Sequence, residues 1–337
     1  MPIVGTTLYH TGNQPGSEES AATQRAFGKL FTEVFVGYYP YDSSYVKKLS
    51  LWACRKRAWA AQWMRGPGGG EALGPADGAM LMTSGGAYVY LRGYGTYTLN
   101  DLTKNLKATP AKVAEIGARI PICASKLGTR AIHVDNFDLS PRARAGAFLT
   151  ATPVVDDAAW NNQLRLADDA LSQTGVDCTL NIGASAVTAA NMALIKNWEG
   201  RLLIEHVESP VAASGNTFRN WLAALRTAPQ RLHLITTIPI SQMTAANARR
   251  AWAVAAALAG TREVYLSFEP GEGTPRPSSW QAVVKYAQET MPALAARATA
   301  LGKFLGTTFS TGKITAAFEA TDVVFDTTKA PVGVTGF

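Results

Sequence analysis

Short continuous apolar runs recur along the chain, and between them lie longer segments whose apolar residues fall three and four apart. The runs predict strands and the segments predict amphipathic helices. From residue 109 onward the alternation is regular. Thr109-Pro110 opens a helix through Val113, Ile116 and Ile120, and Gly128 precedes a strand at Ala131–Asp135. Ser140-Pro141 begins the next helical region, Ala158–Leu171 continues it, and Cys178–Ile182 forms the following strand. Thr188 caps a helix reaching Trp198, and Arg201–Glu208 reads as a strand followed by a helix around Phe218–Leu225. Arg231–Ile238, the Ala-rich helix Ser241–Leu258, the strand Glu263–Phe268 and the helix Ser279–Leu305 complete the series.

These strands are uniformly apolar rather than alternating, as expected when helices cover both faces of a parallel sheet. Upstream, Thr7–His10, Glu33–Tyr38 and Ala87–Leu91 supply three more candidates, making eight, the number that closes a (β/α)8 barrel. The fold class predicted is therefore α/β, a barrel over residues 1–305. Residues 306–337 lose helical spacing and alternate from Lys313 to Phe325, which predicts a short C-terminal β appendage. Ile314, Ala316, Phe318 and Ala320 would line a strand pairing with an edge of this chain or of another one.

With 337 residues, 47% of them hydrophobic and 17% charged, the composition is that of a globular chain with a large core. The net charge of +7 would favour anionic partners, but the basic residues are scattered. Arg55-Lys56-Arg57, set among Trp52, Trp59 and Trp63, reads as the solvated face of an amphipathic helix, and no nucleic-acid module accompanies it. Cys54, Cys123 and Cys178 lie far apart in apolar sequence, which argues for core positions and against a disulfide framework or redox pair. The Gly66–Gly70 segment lacks the Lys-Ser/Thr of a phosphate cradle, and no Gly-x-Ser-x-Gly marks a serine nucleophile. His10, His133, His206 and His233 fall on predicted strands without close metal-ligand spacing, so neither metal nor cofactor is expected. No secretory signal and no membrane-spanning run is visible, so synthesis in the cytoplasm is expected.

The candidate chemistry sits at strand ends. Ala131-Ile132-His133-Val134-Asp135-Asn136-Phe137-Asp138 is an apolar strand ending in two carboxylates and an amide, and strand ends are where barrels place their reacting groups. Asp also organises strand-to-helix turns, so Asp138 reads equally as a cap. Asn181 ends the next strand, and Ile204-Glu205 the one after, with Glu208 close behind.

Those three motifs, in that order, resemble the endo-α-1,4-polygalactosaminidase-like family of TIM-barrel glycoside hydrolases. The resemblance covers about residues 80–270. Where that family commonly has Gly-Phe-Asp-Gly before the fourth strand, this chain has Gly128-Thr129-Arg130-Ala131. It implies a two-carboxylate hydrolysis of a cell-envelope polysaccharide, with the acid pattern on the fourth strand, an Asn on the fifth and a Glu on the sixth. Asp135 would serve as nucleophile or base and Glu205, ending an apolar strand, as general acid, although those roles could be exchanged. Glu208 competes with Glu205, because His206-x-Glu208 repeats the pattern of His133-x-Asp135. Asn136, Asp138, Asn181, Tyr38 and Tyr94 are the expected substrate contacts. Related barrels in bacteriophage tails imply an alternative, a non-catalytic carbohydrate-binding or structural virion protein, a minor tail protein whose partners would dock on residues 306–337.

Overall fold

The computed structural model describes residues 6–8, 31–38, 55–62, 64–65, 98–99, 127–135, 177–213, 215–236, 242–260, 262–268 and 285–337, with isolated positions between them. Eight strands in it close a barrel: β1 (Thr6–Leu8), β2 (Glu33–Tyr38), β3 (Arg55–Gln62), β4 (Ala131–Asp135), β5 (Asp177–Asn181), β6 (Arg201–Ile204), β7 (Leu232–Thr236) and β8 (Val264–Phe268). Each strand pairs in parallel with its neighbours in chain order, and β8 pairs with β1 to complete the ring. Parallel strands need crossovers, and the helices supply them. Those described are α1 (Ala189–Leu194), α2 (Glu208–Ala212), α3 (Gly215–Thr227), α4 (Ala245–Ala259) and α5 (Met291–Ala300). Thr188 and Thr244 cap α1 and α4 by accepting the amide protons of Asn191 and Asn247 at 3.2 and 3.1 Å.

Three predicted elements are corrected. The third barrel strand is Arg55–Gln62, not Ala87–Leu91, which lies outside the described residues, and the basic cluster that reads as a helix is the start of that strand. The reason is electrostatic pairing across the sheet. Arg55 stands opposite Glu33 in the β2–β3 register, its Nε 3.5 Å from Glu33 Oε2, and its Nη2 pairs with Asp177 of β5. The sixth strand also stops at Ile204 rather than running to residue 208, and Glu208 opens α2.

Strand alternation sorts the described side chains. Ile132, Cys178, Leu180, Leu202, Ile204, Leu232, Leu234, Val264 and Leu266 join the large core shared with the helices. Phe35, Leu203 and Ile235 form a separate cluster, as inward-facing residues must once the barrel wall separates them from that core. At the strand starts the interior is ionic. Arg201, wholly buried, is 3.1 Å from Glu33 and 3.4 Å from Asp177, its guanidinium 3.8 Å from the centre of the Tyr265 ring. Arg231 reaches Asp177 at 3.2 Å.

The C-terminal appendage is a four-stranded antiparallel sheet, β9 (Phe304–Ser310), β10 (Lys313–Phe318), β11 (Val323–Asp326) and β12 (Gly333–Thr335). Ile314, Ala316 and Phe318 of β10 are buried as the alternation predicts, whereas Ala320 lies beyond the end of the strand and is exposed. They pair with strands of their own sheet, and that sheet's apolar face belongs to the same core as α3 and α4. Phe325 packs on Phe218 with ring centres 5.4 Å apart, Val332 donates its amide proton to Val211 O at 3.0 Å, and Arg250 Nε donates to Val332 O at 3.1 Å.

Candidate functional site

Asp135 is the last residue of β4, Asn181 the last of β5, and Glu205 follows directly on β6. These strands are consecutive in the ring, with Val134 opposite Leu180 and Asn181 opposite Leu203. Three positions spread over 70 residues of the chain therefore lie at the same C-terminal rim. Asn136, Asp138 and Tyr94 lie outside the described residues, and Tyr38 is placed only as the end of β2.

Each described residue of the rim has an identifiable local cause. Asn181 is buried, and its Oδ1 accepts the Gly183 amide proton at 3.0 Å, a side-chain turn that ends the strand. Gly183 takes φ 68°, a left-handed value that glycine adopts without steric cost. After β6, Glu205 is partly exposed, and His206 takes φ 60°, the one non-glycine residue with a positive φ among those described. The turn is pinned on both sides: Val207 donates to Ile235 O at 3.2 Å and Ser209 to His206 O at 2.9 Å. His206 Nδ1 lies 3.5 Å from Glu208 Oε1, with 58% of the histidine side chain and 25% of the glutamate side chain exposed. Glu208 thus approaches the rim from the first turn of α2, as the partner of His206.

Below the rim is a layer that sequence reasoning did not single out as part of the site. His133 and His233 are fully buried on either side of Phe35, each meeting that ring edge-on, with centroids 5.3 and 4.9 Å away. His133 Nδ1 is 3.0 Å from Thr179 Oγ1, and His233 Nε2 bonds Ser267 Oγ. The available signal was parity: His133 precedes Asp135 by two residues, and Thr179 precedes Asn181 by two, so each strand carries one polar residue inward below its rim residue. This polar and aromatic layer lies inside the barrel beneath the strand ends. Among the described residues, no group of three His, Cys, Asp or Glu side chains could hold a metal, and no helix is long and apolar enough to cross a membrane.

The chain matches no protein-family model and no curated protein sequence. Among solved structures it is similar to a cycloisomaltooligosaccharide glucanotransferase from Paenibacillus sp. (12% identity, TM-score 0.43, 69% of this chain and 38% of that one). A glycoside hydrolase family 5 enzyme from Prevotella bryantii gives 12% identity and a TM-score of 0.45 over 85% of this chain and 95% of that one. A family 2 AP endonuclease from Brucella melitensis gives 12% identity and 0.44, covering 86% and 99%. The chain spans only about two fifths of the glucanotransferase's length. The barrel follows from the chain's own strand pairing.

Proposed function

We propose that this barrel is a glycoside hydrolase acting on a hexosamine-rich cell-envelope polysaccharide, with Asp135 and Glu205 as its two carboxylates. The observation that carries the reading is the arrival of Asp135, Asn181 and Glu205 at the C-terminal ends of three consecutive strands of a closed barrel. Strand alternation puts position 135 in register with inward-facing 131 and 133, and position 205 in register with 201 and 203. The strands of the two acids are separated by one other, so their axes lie about 10 Å apart. Strand ends at that separation are compatible with the carboxyl spacing that glycosidases use, roughly 5–9.5 Å.

In this mechanism Glu205 protonates the glycosidic oxygen as the bond from that oxygen to the anomeric carbon breaks. Asp135 either attacks the anomeric carbon or takes a proton from the water that does. Asn181, with Asn136, Asp138, Tyr38 and Tyr94, would orient the sugar. Glu208 is the competing carboxylate, and its place on α2 beside His206 favours Glu205 for the proton transfer. An amino sugar carries positive charge, and carboxylates at the rim suit it.

The test is reducing-end release from poly-α-1,4-galactosamine and from chitosan, preceded by a glycan-array screen. Asp135→Asn and Glu205→Gln should each lower turnover by about 10²–10⁴-fold with the melting temperature nearly unchanged. Glycan binding without turnover, unaltered by either substitution, would replace hydrolysis with carbohydrate binding alone.

A further inference from the structure

We infer that His206 is a substrate-contacting residue of this rim, held by Glu208 so that its imidazole meets a sugar hydroxyl beside Glu205. The inference rests on the glycosidase reading of the strand ends and adds to it a residue and a role. A left-handed φ on a non-glycine residue is strained, and such residues concentrate where function maintains them. Here the strain falls on the residue next to the proposed acid, in a turn tied to β7 through Val207 and to α2 through Ser209. Histidine tolerates this conformation better than most residues, so a bland reading exists in which it merely makes the turn. Glycine would make the same turn without strain, and asparagine with less. More than half of the side chain, 58%, is exposed, so the ring is accessible from solvent.

Glu208 gives the ring a chemical orientation. A carboxylate oxygen 3.5 Å from Nδ1 orients the ring, and Nε2 is the nitrogen that meets the substrate. A hydroxyl next to the bond being cleaved is a group that Nε2 bonds, as donor or acceptor according to the tautomer. No covalent step is involved.

The experiment compares wild type, His206→Gly and His206→Asn by thermal unfolding and by turnover of poly-α-1,4-galactosamine, with and without added free imidazole. The expected result is a melting temperature equal to wild type or higher in both variants, turnover at least tenfold lower, and partial recovery of His206→Gly by imidazole. Full turnover in a folded His206→Gly variant would overturn the inference and leave the two-carboxylate reading intact. A large fall in melting temperature in both variants would also overturn it, since the ring would then be structural. Absence of glycan binding and turnover in wild type itself would remove the glycosidase reading and the role of His206 with it.

Discussion

Arg201 shows how one residue can be decisive for this fold. Its guanidinium is wholly buried at the start of β6, between Glu33 of β2 and Asp177 of β5 and against the Tyr265 ring. A buried pair of this kind adds little net stability compared with apolar residues, but removing Arg201 leaves the buried Glu33 carboxylate to the half-exposed Arg55, 3.5 Å away. Arg201→Met should therefore cost about 3–5 kcal/mol, and Arg201→Met with Glu33→Gln should recover part of that loss, as urea unfolding of the three variants would show. The same residue marks a limit of sequence reasoning. Arg201 begins an apolar strand without marking a partner, and Arg55 begins a basic run that reads as a solvated face. Only the closure of the barrel brings Glu33 and Asp177 to them.

At the scale of elements, alternation and capping were legible where their causes are local. Thr188 reads as a helix start because a hydroxyl satisfies an amide three residues on, whereas the helix expected from Ser241 begins at Ala245 with Thr244 as its cap, and β10 reads as a strand because Ile314, Ala316 and Phe318 alternate. The turn between β11 and β12 is local as well. Asp326 accepts from the Thr328 hydroxyl and from the Thr328 amide at 3.0 Å, with Lys329 3.2 Å away, and these hold its carboxyl below the ordinary carboxylate range. A carboxyl depressed in the native state stabilises it fully above its unfolded value, about 3.9, and loses that contribution as the pH falls through the lower native value. Asp326→Asn should then flatten the loss of stability below about pH 4, measured as melting temperature against pH beside wild type. By contrast, the end of β6 was not legible. Glu205 to Glu208 continues an apolar strand in pattern, and what stops it is the turn at His206, secured by a bond to Ile235 on another strand.

Across the whole molecule, the C-terminal sheet is joined to the barrel rather than standing off it. Phe325 and Phe218 share one core, and Val332 exchanges backbone and side-chain bonds with α2 and α4. α4 is buried at every position from Ala251 to Ala259, which a helix on the outside of a barrel becomes only when something covers it. Deleting residues 304–337 would expose Phe218, Trp221 and part of α4. The truncated chain should accordingly lose its cooperative thermal transition and aggregate, as circular dichroism and size-exclusion chromatography would reveal.

What the sequence by itself determined is the rhythm: apolar runs fixed in period by covered strands, helices opened by threonine caps, a tail that alternates, and the placing of Asp135, Asn181 and Glu205 where apolar runs end. Each of these depends on neighbours within a few residues, and short-range patterns carry that information. Tertiary structure decided which run is the third strand, where the sixth stops, what surrounds Arg201, and that Phe35, His133 and His233 form a layer under the rim. Those outcomes depend on partners tens to more than a hundred residues away, and only the closed ring of strands sets which charges and rings meet inside it.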